Sequence, residues 1–134
     1  MYNILRNGVY LHMKKFLSTL LISLLSILVI GCGESKETKK EITANELTQK
    51  LQQGSVPLDY ATYTEVTNSK GTYLDVDMAF TNEVLRNGTI KAITNLVDEQ
   101  FADKYDNIHM TITQEKPNHD FVEYEYNGDW VRKK

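Results

Sequence analysis

Between Phe16 and Ile30 the chain is built from Leu, Ile, Val and Phe, broken only by Ser18, Thr19, Ser23 and Ser26. No comparable run occurs after Glu34. A stretch this apolar has no place on the surface of a small domain. It is also shorter than the ~18 apolar residues of a spanning helix, and it matches the ~7–15 residues of an export-signal core. Met13-Lys14-Lys15 supplies the positive start that such a segment needs, and Val29-Ile30-Gly31-Cys32 ends it. Residues 1–12 lie upstream of a signal already complete from Met13, so translation is expected to start at Met13.

Removing that segment sets the problem for the rest. Of 134 residues, 103 remain from Cys32 onward, enough for one domain with a modest core. Cys32 is the single cysteine, so no intramolecular disulfide can brace the fold. Arg6, Lys14 and Lys15 are the only Lys or Arg before Cys32, and no acid precedes it. The 15 bases and 18 acids of the whole chain therefore leave 12 against 18, a net −6. That balance disfavours nucleic acid and flat adsorption to an anionic membrane.

The charged start, apolar core and Val29-Ile30-Gly31-Cys32 box together resemble the signal and lipid-attachment site of a bacterial lipoprotein. The resemblance implies that Cys32 receives a diacylglyceryl group and becomes the mature N-terminus. Two acyl chains then hold the protein on the extracytoplasmic face of the cell membrane without a transmembrane helix. The residue directly after Cys32 is Gly33 and not Asp, and the Lys-rich segment beyond it leans towards a Gram-positive host. The expected organisation is a signal over 1–31, a lipidated Cys and charged tether over 32–41, and one small domain over 42–134. The released fragment ending Leu24-Leu25-Ser26-Ile27-Leu28-Val29-Ile30-Gly31 also resembles peptide pheromones cut from lipoprotein signals.

Within the domain, Thr43-Ala44-Asn45-Glu46 reads as a capping box, with Ile42 and Leu47 placed as a hydrophobic staple. A helix over 43–53 follows, its face marked by Leu47 and Leu51 and its end by Gly54. Residues 58–67, rich in Thr, Tyr and Val, suit a strand. From Gly71 to Phe80 the alternation is nearly perfect, Leu74, Val76, Met78 and Phe80 against Tyr73, Asp75, Asp77 and Ala79. Asn68-Ser69-Lys70-Gly71 joins these two as an antiparallel hairpin. Ile90, Ile93, Val97 and Phe101 form a helical stripe and predict a helix over 89–104. Alternation returns at Ile108, Met110 and Ile112, and again at Val122, Tyr124 and Tyr126. Asn127-Gly128 turns the chain into a short last strand around Trp130. The expected fold is α+β, a small antiparallel sheet with two helices in the order α-β-β-α-β-β plus a terminal strand. Tyr126-Asn127-Gly128-Asp129-Trp130-Val131 loosely resembles the closing hairpin of cystatin-like and NTF2-like domains, although a helix between strand pairs departs from the helix-first cystatin order.

Chemistry is sparse. Asp75 and Asp77, with Glu123 and Glu125, would offer oxygen ligands for Ca²⁺ if their strands were neighbours, but no calcium-loop spacing accompanies them. Charges on the solvent side of a half-buried sheet explain them better. His109 and His119 are the only histidines after Cys32, and Ser55 and Ser69 the only serines beyond the tether. Neither serine sits in a nucleophile elbow, no phosphate-cradling loop occurs, and no metal or cofactor is expected. Tyr63 and Tyr73, sharing faces with Glu65 and Asp75, are the aromatics expected to be exposed for binding. The sequence thus predicts a non-enzymatic, lipid-anchored binding domain with a protein partner at the cell surface. Two alternatives are a surface-exclusion or immunity lipoprotein of a mobile element and a weak hydrolase using a His–acid pair.

Overall fold

The structure is a computed structural model that describes residues 36–134; the segment Met13–Cys32, with Cys32 expected to carry the lipid, lies outside the described residues. Strand β1 (Thr38–Glu41) comes first, then helix α1 (Asn45–Gln52), β2 (Leu58–Asn68), β3 (Gly71–Phe80), helix α2 (Asn87–Phe101), β4 (Ile108–Gln114), β5 (Asp120–Tyr126) and β6 (Trp130–Arg132). The six strands form one sheet in sequence order. Both helices pack on one side of it.

The α+β class expected from the sequence holds, and three details differ. First, β1 lies within the segment expected to be a free tether. All four of its residues are exposed, because it is an edge strand held only by backbone pairing, Thr38 to Thr67 through Glu41 to Thr64. Charged residues at such an edge discourage further pairing, and they also hide the strand from any search for apolar alternation. Second, the sheet is mixed. β3 and β4 run parallel, Leu74 beside Ile108 and Phe80 beside Gln114, while every other pair is antiparallel. Parallel neighbours need a long crossover, and α2 with its flanking loops provides it. Third, Thr43 does not cap α1. Ala44 occupies the cap position without a side-chain hydrogen bond, and its methyl group is buried in the core.

Packing follows the alternation of β3 and the stripe of α2. Leu74, Val76 and Met78 are fully buried, with Phe80 nearly so, against Ile90, Ile93, Val97 and Phe101. Ile108, Met110, Ile112 and Val122 continue this layer across β4 and β5, while Leu47 and Leu51 of α1 close it over β2. A buried amide secures one end. Gln114 Oε1 accepts the backbone N–H groups of Val84 (3.3 Å) and Leu85 (3.4 Å), and its Nε2 donates to the Asn118 carbonyl (3.1 Å). That side chain ties the loop entering α2 to the β4–β5 turn. At the other end, Gly71 has φ of +131°, open to glycine alone without strain, and the Lys70 N–H donates to Asn68 Oδ1 at 2.8 Å to tighten the β2–β3 turn.

Candidate binding face

Among the described residues, one side of the sheet carries no helix. The strand register places its side chains in rows, because successive residues of a strand point to opposite faces and paired residues share a face. One row runs Thr64, Asp75, His109, Glu125 and Val131; the next runs Thr62, Asp77, Thr111 and Glu123; a third runs Tyr60, Ala79, Thr113 and Phe121. Tyr60 is 50% exposed and Val131 56%, the two large apolar side chains most open to solvent among the described residues.

Tyr73 stands on this face, half-buried, with its ring 4.4 Å from that of His109 and tilted by 33°. This diagonal contact reaches from β3 to β4 and makes an aromatic platform. Asp75 and Glu125 pair with His109 from opposite sides. A shallow groove of about 280 Å³ runs beside it, bordered by Asp75, Thr111, Glu123, Glu125 and Lys133. Lys133 Nζ lies 2.8 Å from Glu125 Oε2, and that hydrogen bond and charge hold the Glu125 carboxyl below its ordinary range. Asp77 is shifted the other way: partial burial, then the nearby Asp75 charge, pushes its carboxyl up. Asp77 in turn raises the Tyr60 phenol. Along the border, Lys134 Nζ sits 3.8 Å from the centre of the Phe121 ring.

Tyr63 does not belong to this surface. It is 2% exposed, points to the helix side, and packs its ring 5.6 Å from that of Phe101. Its hydroxyl lies 3.0 Å from Thr48 Oγ1 of α1, and burial pushes its phenol up. Tyr63 pairs with fully buried Val76, and Glu65, the acid expected to mark a solvent-facing side, lies on the helix side with it, paired to buried Leu74. A register shift between Leu58 and Tyr60 puts Leu58 on that side too. Tyr60 takes the exposed position that Tyr63 was expected to hold. Glu65, on the helix side, accepts a 2.7 Å hydrogen bond from the Tyr105 hydroxyl, whose phenol is pushed up to about 12 by burial first and Glu65 second.

The four carboxylates do not gather into a metal site. β4 lies between β3 and β5, so Asp75 and Asp77 are separated from Glu123 and Glu125 by two strand spacings, about 9.6 Å. Among the described residues no group of three His, Cys, Asp or Glu side chains can hold a metal ion. His109 and His119 are also apart: His119, in the β4–β5 turn, faces Glu115 at 3.2 Å, at the opposite end of β4 from His109. Ser55 lies in the α1–β2 connection and Ser69 in the β2–β3 turn. The closing hairpin read around Asn127-Gly128 is present, with Tyr126 paired to Trp130, their rings 5.2 Å apart, and Gly128 at φ +85°. Among the described residues no helix is long and apolar enough to cross a membrane.

No protein-family model matches the chain, and no curated protein does. Among solved structures, the crystal structure of the sex pheromone staph-cAM373 precursor resembles it with a TM-score of 0.50 at 11% sequence identity. The match covers 72% of this chain and 44% of that one, so the chain spans less than half of the protein it resembles. At this identity the likeness is one of fold.

Proposed function

We propose that the chain is the precursor of a lipid-anchored extracytoplasmic binding domain, held on the membrane through Cys32, whose open sheet face receives a protein partner. The observation that carries this reading is the uncovered face itself, where exposed Tyr60 and the Tyr73–His109 platform stand among Asp75, Asp77, Glu123 and Glu125. Aromatic side chains exposed on a rigid sheet are favoured as anchors of recognition surfaces. The acidic surround fits a partner that presents basic groups. An exclusion or immunity role would be one use of such a face.

The anchor and the face are tested separately. Palmitate labelling of the expressed protein, abolished by Cys32→Ser, checks the first. Cross-linking in intact membranes, compared between the native protein and the Tyr60→Ala/Tyr73→Ala double variant, checks the second. An unchanged cross-linking pattern would remove the face from consideration.

A second reading concerns the removed segment. The solved structure that resembles this fold is that of a sex pheromone precursor, and Leu24–Gly31 resembles a peptide of that type. On this reading the domain is the carrier and the fragment is the signal. Mass spectrometry of culture medium for a peptide ending at Gly31 decides it; its absence while the processed protein accumulates would count against release.

A further inference from the structure

The chain enters the sheet at one end, and strand pairing fixes which. Thr38, the first residue of β1, lies opposite Thr67, one residue before Asn68 and the β2–β3 turn. β4 runs parallel to β3 and starts beside Leu74, so the α2–β4 connection and the β5–β6 turn at Asn127–Asp129 fall at this same end. The loop entering α2 and the β4–β5 turn lie at the other end, about 30 Å away along the ten residues of β3.

Five residues, Gly33 to Glu37, separate Cys32 from Thr38. Fully extended, that stretch spans at most about 20 Å. Thr38–Glu41 adds nothing to the reach, because it is paired into the sheet. A domain anchored at Cys32 and standing on its β4–β5 turn would hold Thr38 about 30 Å above the bilayer surface. The tether is too short for that inverted posture.

Charge separates the postures that remain. Resting on the open face would bring Asp75, Asp77, Glu123 and Glu125 against headgroup phosphates. Resting on the helices would bring Glu46, Asp98 and Glu99 with Lys50 and Lys91, and Lys50 already stands 3.8 Å from Glu46 and 3.6 Å from Glu99. The entry end is balanced. Lys39 is paired with Glu37 at 3.1 Å, and Lys36, Lys70 and Lys104 match Asp103, Asp106 and Asp129 in number. It is the surface that a phosphate-bearing bilayer repels least.

Given the lipid anchor at Cys32 proposed above, on which this rests, we infer that the entry end of the sheet is the surface turned to the lipid headgroups, with the strands standing away from the bilayer. The β2–β3 turn, the α2–β4 connection and the β5–β6 turn form that surface. The open face then stands upright beside the membrane, where a partner in the same membrane meets it from the side.

NMR of the lipidated protein in nanodiscs that contain a gadolinium-chelating lipid tests this, because the metal quickens the relaxation of amides steeply as they approach the bilayer. The gadolinium-induced rate at Ser69, Lys70 and Gly128 is expected to be at least fivefold that at Asn118 and His119. An insert of about twelve Gly and Ser residues after Gly33 lengthens the reach to about 60 Å and should cut that ratio at least twofold. A ratio near one in the native protein, higher rates at Asn118 and His119, or no response to the insert would each overturn the orientation while leaving the anchor in place. The highest rates at Thr111 and Glu123 would overturn it in favour of the open face lying on the lipid. An intact mass without acyl chains on Cys32 would remove the anchor and this orientation with it.

Discussion

The two faces of the sheet are built from the same strands and use their residues in opposite ways. On the helix side of β3, Leu74, Val76 and Met78 have no exposed surface; on the other side, Tyr73, Asp75 and Asp77 alternate with them and keep theirs. The first face makes the fold and tolerates little change. The second buries fewer side chains, Val66 and Ala79 among them, which leaves most of its residues free for recognition. Side chains that matter for stability and those that matter for binding should therefore separate by strand parity, and that separation can be broken by experiment.

The largest contrast pairs Phe80, 2% exposed, with Tyr60, 50% exposed. Phe80→Ala removes a ring from the buried layer and is expected to cost roughly 3–5 kcal/mol. Tyr60→Ala, on an exposed strand position, is expected to change stability by about 0.5 kcal/mol or less. Urea unfolding of the two variants checks this; a large loss in Tyr60→Ala would mean that the open face is part of the core.

Gln114 tests whether every buried residue on the helix side is there for its apolar surface. Its amide serves two N–H groups of the loop entering α2 and one carbonyl of the β4–β5 turn. Gln114→Ala strands these groups and is expected to cost about 1–3 kcal/mol. Hydrogen exchange at Val84 and Leu85 should quicken before global unfolding does.

A smaller contrast concerns the two tyrosines that the sequence placed together. Tyr63→Phe removes a hydroxyl bonded to Thr48 in a half-buried setting and is expected to cost about 1 kcal/mol. Tyr73→Phe keeps the ring on His109 and is expected to be within about 0.5 kcal/mol of native. Equal effects would erase the assignment of these residues to different faces.

That misplacement shows where the sequence was legible. β3 could be read residue by residue because one of its faces is wholly apolar, and α2 because its stripe recurs at helical spacing. β2 has Thr and Tyr on both faces and its one glutamate, Glu65, on the buried side, so its composition does not mark which side meets solvent, and a bulge at Leu58/Tyr60 breaks its alternation. β1 was invisible for a related reason: an edge strand exposed along its length carries no burial pattern. The parallel β3–β4 pairing was hidden because strand order alone does not fix strand direction, although the long connection through α2 was its signal. At the open face, the acidic and aromatic residues could be listed from sequence. Their rows, and the Tyr73–His109 contact, depend on β4 lying between β3 and β5.

The finest distinction lies within the open face itself, between its two shifted carboxylates. Glu125, held low by Lys133, binds fewer protons folded than unfolded at pH values below its ordinary 4.5. Stability there rises with pH and is lost as pH falls through the folded value. Asp77, pushed up by burial and Asp75, binds more protons folded than unfolded just above its ordinary 3.8, so its contribution falls as pH rises. The two slopes therefore oppose one another across the acid range. Asp77→Asn removes the falling limb and is expected to stabilise the protein at neutral pH by roughly 0.5 kcal/mol, a small figure because solvent screens a group this exposed. Lys133→Ala removes the Glu125 part of the rising limb and returns that carboxyl towards its ordinary titration, which carbon-detected NMR reads directly. If Asp77→Asn leaves neutral stability unchanged or lowers it, the open face is not electrostatically strained, and a basic partner would find no repulsion to relieve.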